Sequence, residues 1–114
     1  MVKVIIDGDA CPVVNSVIEL TKGTGIFVNV LRSFSHFSHQ IQPEHVKTVY
    51  VDDGTDAVDY KIVQLARKED IVITQDYGLA SLLIDKVHIV MHHKGSIYRA
   101  DNIQTLLDQP LIHI

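Results

Sequence analysis

KVIIDGDACPV, residues 3–13, decides how the rest of the chain is read. Val4, Ile5 and Ile6 form an unbroken apolar, β-branched run. Because it is continuous rather than alternating, the run suits a strand buried on both faces of a parallel sheet. It ends on Asp7 and Asp9, one residue apart around Gly8, and Pro12 then fits the first position of a helix. Val14, Val17, Ile18 and Thr21 follow at i, i+3, i+4 and i+7, and Gly23 stops the pattern.

The same succession repeats along the chain. Further strands are predicted in IFVNVL (26–31), TVYVD (48–52), DIVITQD (70–76) and VHIVMHH (87–93). A second helix reads from Ala57 to about Lys68, with Val58, Ile62, Leu65 and Ala66 on one face, and a short third carries Leu79, Leu82 and Leu83. The fourth is announced by Asp101 three residues before Gln104, an N-terminal capping pattern, and carries Ile103, Leu106 and Leu107. Strands alternating with helices predict an α/β three-layer sandwich around a mainly parallel sheet of about five strands, with right-handed crossovers. SFSHFSHQIQPEH, residues 33–45, has no period and reads as a mobile loop. Without repeats, low-complexity tracts or linkers, residues 1–114 are read as one domain.

At 114 residues and 46% apolar, the chain can bury roughly two thirds of its unfolded surface. Its formal net charge of −4 gives no general attraction for nucleic acid, so a polyanionic partner needs a local basic patch or a bridging metal. The single cysteine, Cys11, excludes an internal disulfide, and no run approaches a membrane span. MVKVIIDGDA is too short in its apolar part for a secretory signal, and a reducing, cytoplasmic location is expected.

Ligands of open parallel sheets bind beyond the carboxyl ends of the strands, where the strand order reverses. Asp7 and Asp9 lie past the first strand, Asp52, Asp53 and Asp56 past the third, and Asp76 past the fourth. If strand geometry persists through Gly8, Asp7 and Asp9 point to one side, and Asp56 and Asp59 share a helix face. Crowded carboxylates repel unless a cation or proton intervenes, and an oxygen-only donor set suits Mg²⁺ or Mn²⁺. Asp7, Asp9, Asp56, Asp59 and Asp76 are therefore the expected metal ligands. Such an ion can activate water and stabilise a phosphodiester transition state. Every acid but Asp7 also has a plainer use: Asp9, Asp56 and Asp76 can cap the three helices that follow them, Asp59 can sit in a first turn, and Asp52 and Asp53 suit a turn before Gly54. Asp7 caps nothing.

Other chemistries are weighed beside these. Cys11, among acids, has its thiol pKa raised and is expected to be packing. His36 and His39, or His92 and His93, can ligate a transition metal, but no cysteine or nearby acid completes either set. Arg32, Phe34, His36 and Phe37, with Lys61, Lys94 and Arg99, combine charge with aromatic faces and can grip a single strand of RNA, while Phe34 and Phe37 equally suit a lid packed on the core. DGDAC also resembles the opening of haloacid dehalogenase-type phosphatases, with Asp7 as nucleophile, Asp9 as acid/base and Thr74 in the second motif. Cys11 stands where that pattern has Thr or Val, and no suitable lysine followed by an acidic motif comes after Thr74.

IDGDACPV, VDDGTDAVDYKIV, DIVITQDYGLASLL and HHKGSIYRADNIQTLL, in this order, resemble the bacterial YaiI/YqxD family over nearly the whole chain to about Leu107. The resemblance implies a PIN-like nuclease fold, in which acids at the carboxyl edge bind Mg²⁺ or Mn²⁺ and hydrolyse RNA. It implies Asp7 as the first acid, Asp56 or Asp59 as those before the central helix, Asp76 as the acid after the fourth strand, and Asp9 as an added ligand. Asp7, Asp56, Asp59 and Asp76 are then the expected catalytic residues. Thr74, Arg32, Lys61 and Lys94 are the expected substrate contacts, Thr74 orienting a carboxylate or a phosphate oxygen. The family usually continues past Gln109 with a basic, glycine-containing segment and a last helix, whereas this chain ends PLIHI. The expected function is a metal-dependent ribonuclease, with a catalytically silent RNA- or protein-binding module as the alternative.

Overall fold

KVIID forms β1 (Lys3–Asp7) in the computed structural model, which describes residues 2–9, 11–36, 41–54 and 56–108. In chain order follow α1 (Val14–Thr21), β2 (Phe27–Ser33), a 3₁₀ turn (Phe34–His36), β3 (Val46–Val51) and α2 (Ala57–Leu65). Then come β4 (Ile71–Ile73), α3 (Tyr77–Leu83), β5 (Ile89–Met91), β6 (Ile97–Tyr98) and α4 (Ala100–Leu107). The sheet order is β3-β2-β1-β4-β5-β6, with every neighbouring pair parallel except the antiparallel β5–β6. The sixth strand goes beyond the five expected; two residues are too few to carry a period.

β1 lies between β2 and β4, with Asp7 opposite Leu31 and Ile6 opposite Ile73. From β1 the chain steps to β2 and β3 on one side, then returns across β1 to β4 and β5 on the other. Right-handed crossovers require the connecting helices to change face when that direction reverses. Accordingly Val14 and Ile18 of α1 pack on Val4, Ile6, Val28 and Val30, while α2, α3 and α4 pack on Ile5, Leu31 and Val72 from the opposite face. This is the expected three-layer α/β sandwich. Among the described residues, no helix is long and apolar enough to cross a membrane.

Four local expectations change. Pro12 lies in the turn before α1, which starts at Val14 with Val13 at its N-cap and no side-chain cap. α2 stops at Leu65 rather than Lys68, because the Asp70 carboxylate accepts the Arg67 N–H at 2.8 Å and bends the chain into β4. α4 is capped at Arg99, not Asp101: the Asn102 Oδ1 accepts the Arg99 N–H at 2.8 Å. The expected 33–45 loop begins as the end of β2 and a 3₁₀ turn, where the half-exposed Phe34 stacks on Tyr50 at 5.9 Å. Phe37, His39 and the PLIHI end lie outside the described residues.

Gly8 explains why the chain can leave β1 as it does. Its N–H donates to the Leu31 carbonyl at 2.8 Å, and a Cβ there would stand 2.7 Å from Val30 Cγ1 and 2.9 Å from the Leu31 oxygen. Only glycine lets the two aspartates run on along the strand against β2.

Candidate functional site

β1 and β4 are neighbours on either side of the reversal in strand order, the place where open α/β sheets bind ligands. At their carboxyl ends lies an open cleft of about 320 Å³ lined by Asp7, Asp9, Asp53, Asp56, Asp59 and Asp76, with Ser33 and Ser35. No histidine, cysteine, lysine or arginine is among its described lining residues.

Each acid is held by a different device. Thr74, almost wholly buried, donates its hydroxyl to Asp7 Oδ2 at 3.0 Å, and the same Oγ1 accepts the Asp76 N–H at 3.0 Å. One hydroxyl thus fixes the acids of two adjacent strand ends. Asp76 caps α3 by accepting the Leu79 N–H at 3.1 Å, as the sequence predicts. Asp9 does not cap α1; both its oxygens accept the Ser33 N–H, at 3.0 and 3.2 Å, which ties the turn after β1 to the end of β2. Asp53 accepts the Ser35 N–H at 2.9 Å. Asp56 stands at the N-cap position of α2 in the left-handed conformation, φ 66°, without a side-chain capping bond. Asp59 lies in the first turn of α2.

The electrostatics name the inner group. Asp59 is pushed up to about 7, first by burial, then by the charges of Asp76 and Asp7, its hydrogen bond to Asp76 and the charge of Asp56. Asp7 is also raised by burial, partly offset by the Thr74 hydrogen bond and reinforced by Asp76 and Asp9. Asp7, Asp59 and Asp76, from three separate elements, therefore share one field. The choice between Asp56 and Asp59 that the sequence left open falls to Asp59 as the inner residue, with Asp56 at the exposed margin.

These donors fit a hard divalent cation by type, since all are carboxylate oxygens and their mutual repulsion is what a cation relieves. Their present spacing is open. Among the described residues no group of three His, Cys, Asp or Glu side chains closes on one point as metal ligands. Asp9, Asp53 and Asp76 are each anchored on a backbone N–H, and like charges do not converge unaided.

With this geometry in hand, comparison with known proteins gives the lineage. A family model described as "Uncharacterized BCR, YaiI/YqxD family" matches residues 5–113. The chain belongs to the YaiI/YqxD family. Its relatives include a UPF0178 protein of Staphylococcus epidermidis, 86% identical over 93% of this chain and 71% of the relative. Another, from Staphylococcus haemolyticus, is 73% identical over 96% of this chain and 74% of its own length. A third, from Staphylococcus aureus strain JH9, is 70% identical over 99% of this chain and 74% of its own length. No solved structure matches the chain.

The expected substrate contacts of this YaiI/YqxD chain do not gather at the cleft. Thr74 is buried and its hydroxyl serves Asp7 and Asp76, so it positions carboxylates instead of meeting a phosphate. Arg32 shares the α1 face of β2 with Val28 and Val30, where its charge reaches Cys11, and Lys61 does not line the cleft. Lys94 lines a different pocket. Cys11 packs half-buried against the α1 core, and burial first, then the Asp7 charge, pushes its thiol up despite a backbone hydrogen bond and Arg32. Asp53, Ser33 and Ser35 are the cleft residues that sequence reading misses. Asp53 reads as an ordinary turn acid, and nothing local signals that it crosses to the Ser35 backbone.

Proposed function

We propose that the chain is a divalent-metal-dependent ribonuclease of PIN-like architecture, cleaving a phosphodiester at the acidic cleft. One observation carries the reading: Asp7, Asp59 and Asp76 come from separate elements and line one cleft, where burial and the neighbouring charges raise the Asp59 carboxyl. In this reading Asp7, Asp59 and Asp76 hold a Mg²⁺ or Mn²⁺ ion, with Asp9 and Asp56 beside them. The ion would supply activated water and neutralise charge developing on the phosphate. The chain's own part is positional: Thr74 keeps Asp7 and Asp76 in place, and Ser33 keeps Asp9.

The test is Mn²⁺-dependent cleavage of a short single-stranded RNA. The wild type is expected to cleave, and Asp7→Asn and Asp76→Asn to lose at least about 100-fold in rate while keeping the far-ultraviolet circular dichroism of the fold. Cleavage that survives equally in Asp7→Asn overturns the proposal. A silent binding module is the second reading, favoured by the backbone N–H partners that Asp9, Asp53 and Asp76 already have. It predicts binding of RNA or of a protein partner with no turnover. An Asp7-nucleophile phosphatase is weaker, because the described cleft lining offers no lysine to hold a phosphate beside Asp7.

A further inference from the structure

A separate pocket of about 240 Å³, sharing no described lining residue with the acidic cleft, is lined by Tyr77, His92, Lys94, Ser96, Tyr98 and Leu106. Its described lining is opposite in character to the cleft: a lysine, a histidine, hydroxyls and no carboxylate. The turn between β5 and β6 builds it. His92 N–H donates to the Ser96 carbonyl at 2.8 Å, Gly95 N–H donates to the His92 carbonyl at 2.9 Å, and Gly95 takes φ 99°, a conformation glycine alone adopts easily. Lys94 and Ser96 are thereby held on a tight turn. Lys94 N–H donates to His92 Nδ1 at 3.1 Å, so the proton of the neutral ring sits on Nε2, leaving an N–H donor. Burial, then the charges of His93 and Lys94, hold the His92 ring below the usual histidine range. Lys94 brings a positive charge to this lining, in a chain of net charge −4.

The two sites are physically joined. Tyr77 directly follows Asp76 and packs edge-on against Tyr98 at 5.9 Å. The Tyr98 hydroxyl donates to the Thr74 carbonyl at 3.2 Å, on the residue whose side chain holds Asp7. Burial, Tyr77 and the Asp76 charge push Tyr98 up to about 12, so this hydroxyl stays protonated at neutral pH.

We propose that this pocket is an anion subsite, holding one phosphate of a nucleotide chain beside the phosphate presented to the acidic cleft. The placement of that neighbouring phosphate rests on the nuclease reading. A polyanion approaching six aspartates is repelled, and Lys94 Nζ, His92 Nε2–H and the Ser96 hydroxyl are the donors that this pocket offers to offset it. Phosphate contacts of this kind set register and not sequence, so the subsite fixes where along the strand the cleft acts.

Inorganic phosphate, added without divalent cations and followed by the nuclear magnetic resonance signal of the His92 ring, tests the subsite directly. The wild type is expected to show a saturable shift. Lys94→Glu is expected to weaken phosphate binding by about tenfold or more, the loss of one charge-assisted contact, and Asp7→Asn to leave it intact. Lys94 is exposed in a turn, so its replacement leaves the core untouched. A His92 ring that phosphate does not move, or equal binding by Lys94→Glu, overturns the subsite. If phosphate binds but no RNA is cleaved, the nuclease reading alone falls. If RNA is cleaved and Lys94→Glu keeps an unchanged KM, the subsite alone falls.

Discussion

The two ends of the sheet treat the same side chain in opposite ways. At the amino edge, Asp70 is fully buried, and one of its oxygens takes both the Lys3 ammonium at 2.7 Å and the Arg67 N–H at 2.8 Å. At the carboxyl edge, six aspartates face one open cleft with no basic residue in its described lining. The first arrangement neutralises a charge where water is excluded and joins β1 to β4. The second leaves charges crowded where water and ions can enter, a repulsion that a bound cation would relieve.

The largest way to break this contrast is to remove the cation at the amino edge. Lys3→Met leaves Asp70 buried with its charge uncompensated, and is expected to lower stability by about 3 kcal/mol or more in urea unfolding. It should leave any response to divalent ions unchanged. A loss below about 1 kcal/mol would mean that the two edges differ less than their geometry suggests.

Next in size is relief of the carboxyl edge. Mg²⁺ or Mn²⁺ at ten times its dissociation constant is expected to stabilise the wild type by about 1.4 kcal/mol, read as a rise in melting temperature that chelation reverses. Asp7→Asn and Asp76→Asn should abolish the rise. If they retain it, the ion binds elsewhere.

The smallest expected effect is a pH dependence. Folded Asp59 keeps its proton up to about pH 7, against an ordinary value of 3.8. Between these limits the native state binds more protons than the unfolded one, so the contribution of Asp59 is full below about 3.8 and lost as pH rises through about 7. Asp59→Asn should flatten the melting temperature across this window and exceed the wild type above it. The open cleft screens the interaction, which keeps the effect modest. A wild-type curve as flat as that of the variant would show that the cleft acids do not couple.

Much of this was legible in the chain because it is local. Val4 to Ile6, the i, i+3, i+4 spacing of Val14, Val17 and Ile18, and the Asp76 cap before α3 all act within one or two turns or a single strand. The errors are local features overruled from a distance. Asp9 looked like a helix cap and instead holds Ser33 of β2; α2 was shortened by the pull of Asp70 on Arg67; the Asp101 cap yielded to Asn102. β6 pairs only with Met91 and Val90 and is too short to announce itself.

Sequence alone settled most of the elements, pointed to the family and placed acids at the carboxyl ends of the strands, because periodicity, turn chemistry and strand direction are encoded residue by residue. Tertiary structure alone decided which acids meet. Asp59 rather than Asp56 joins Asp7 and Asp76, Thr74 binds two strand ends together, and Lys94 is set apart with His92 in a pocket whose described lining has no carboxylate. These outcomes depend on strand order and register across β1, β2 and β4. Contacts between residues as far apart as Asp7 and Thr74 exist only once the sheet has assembled.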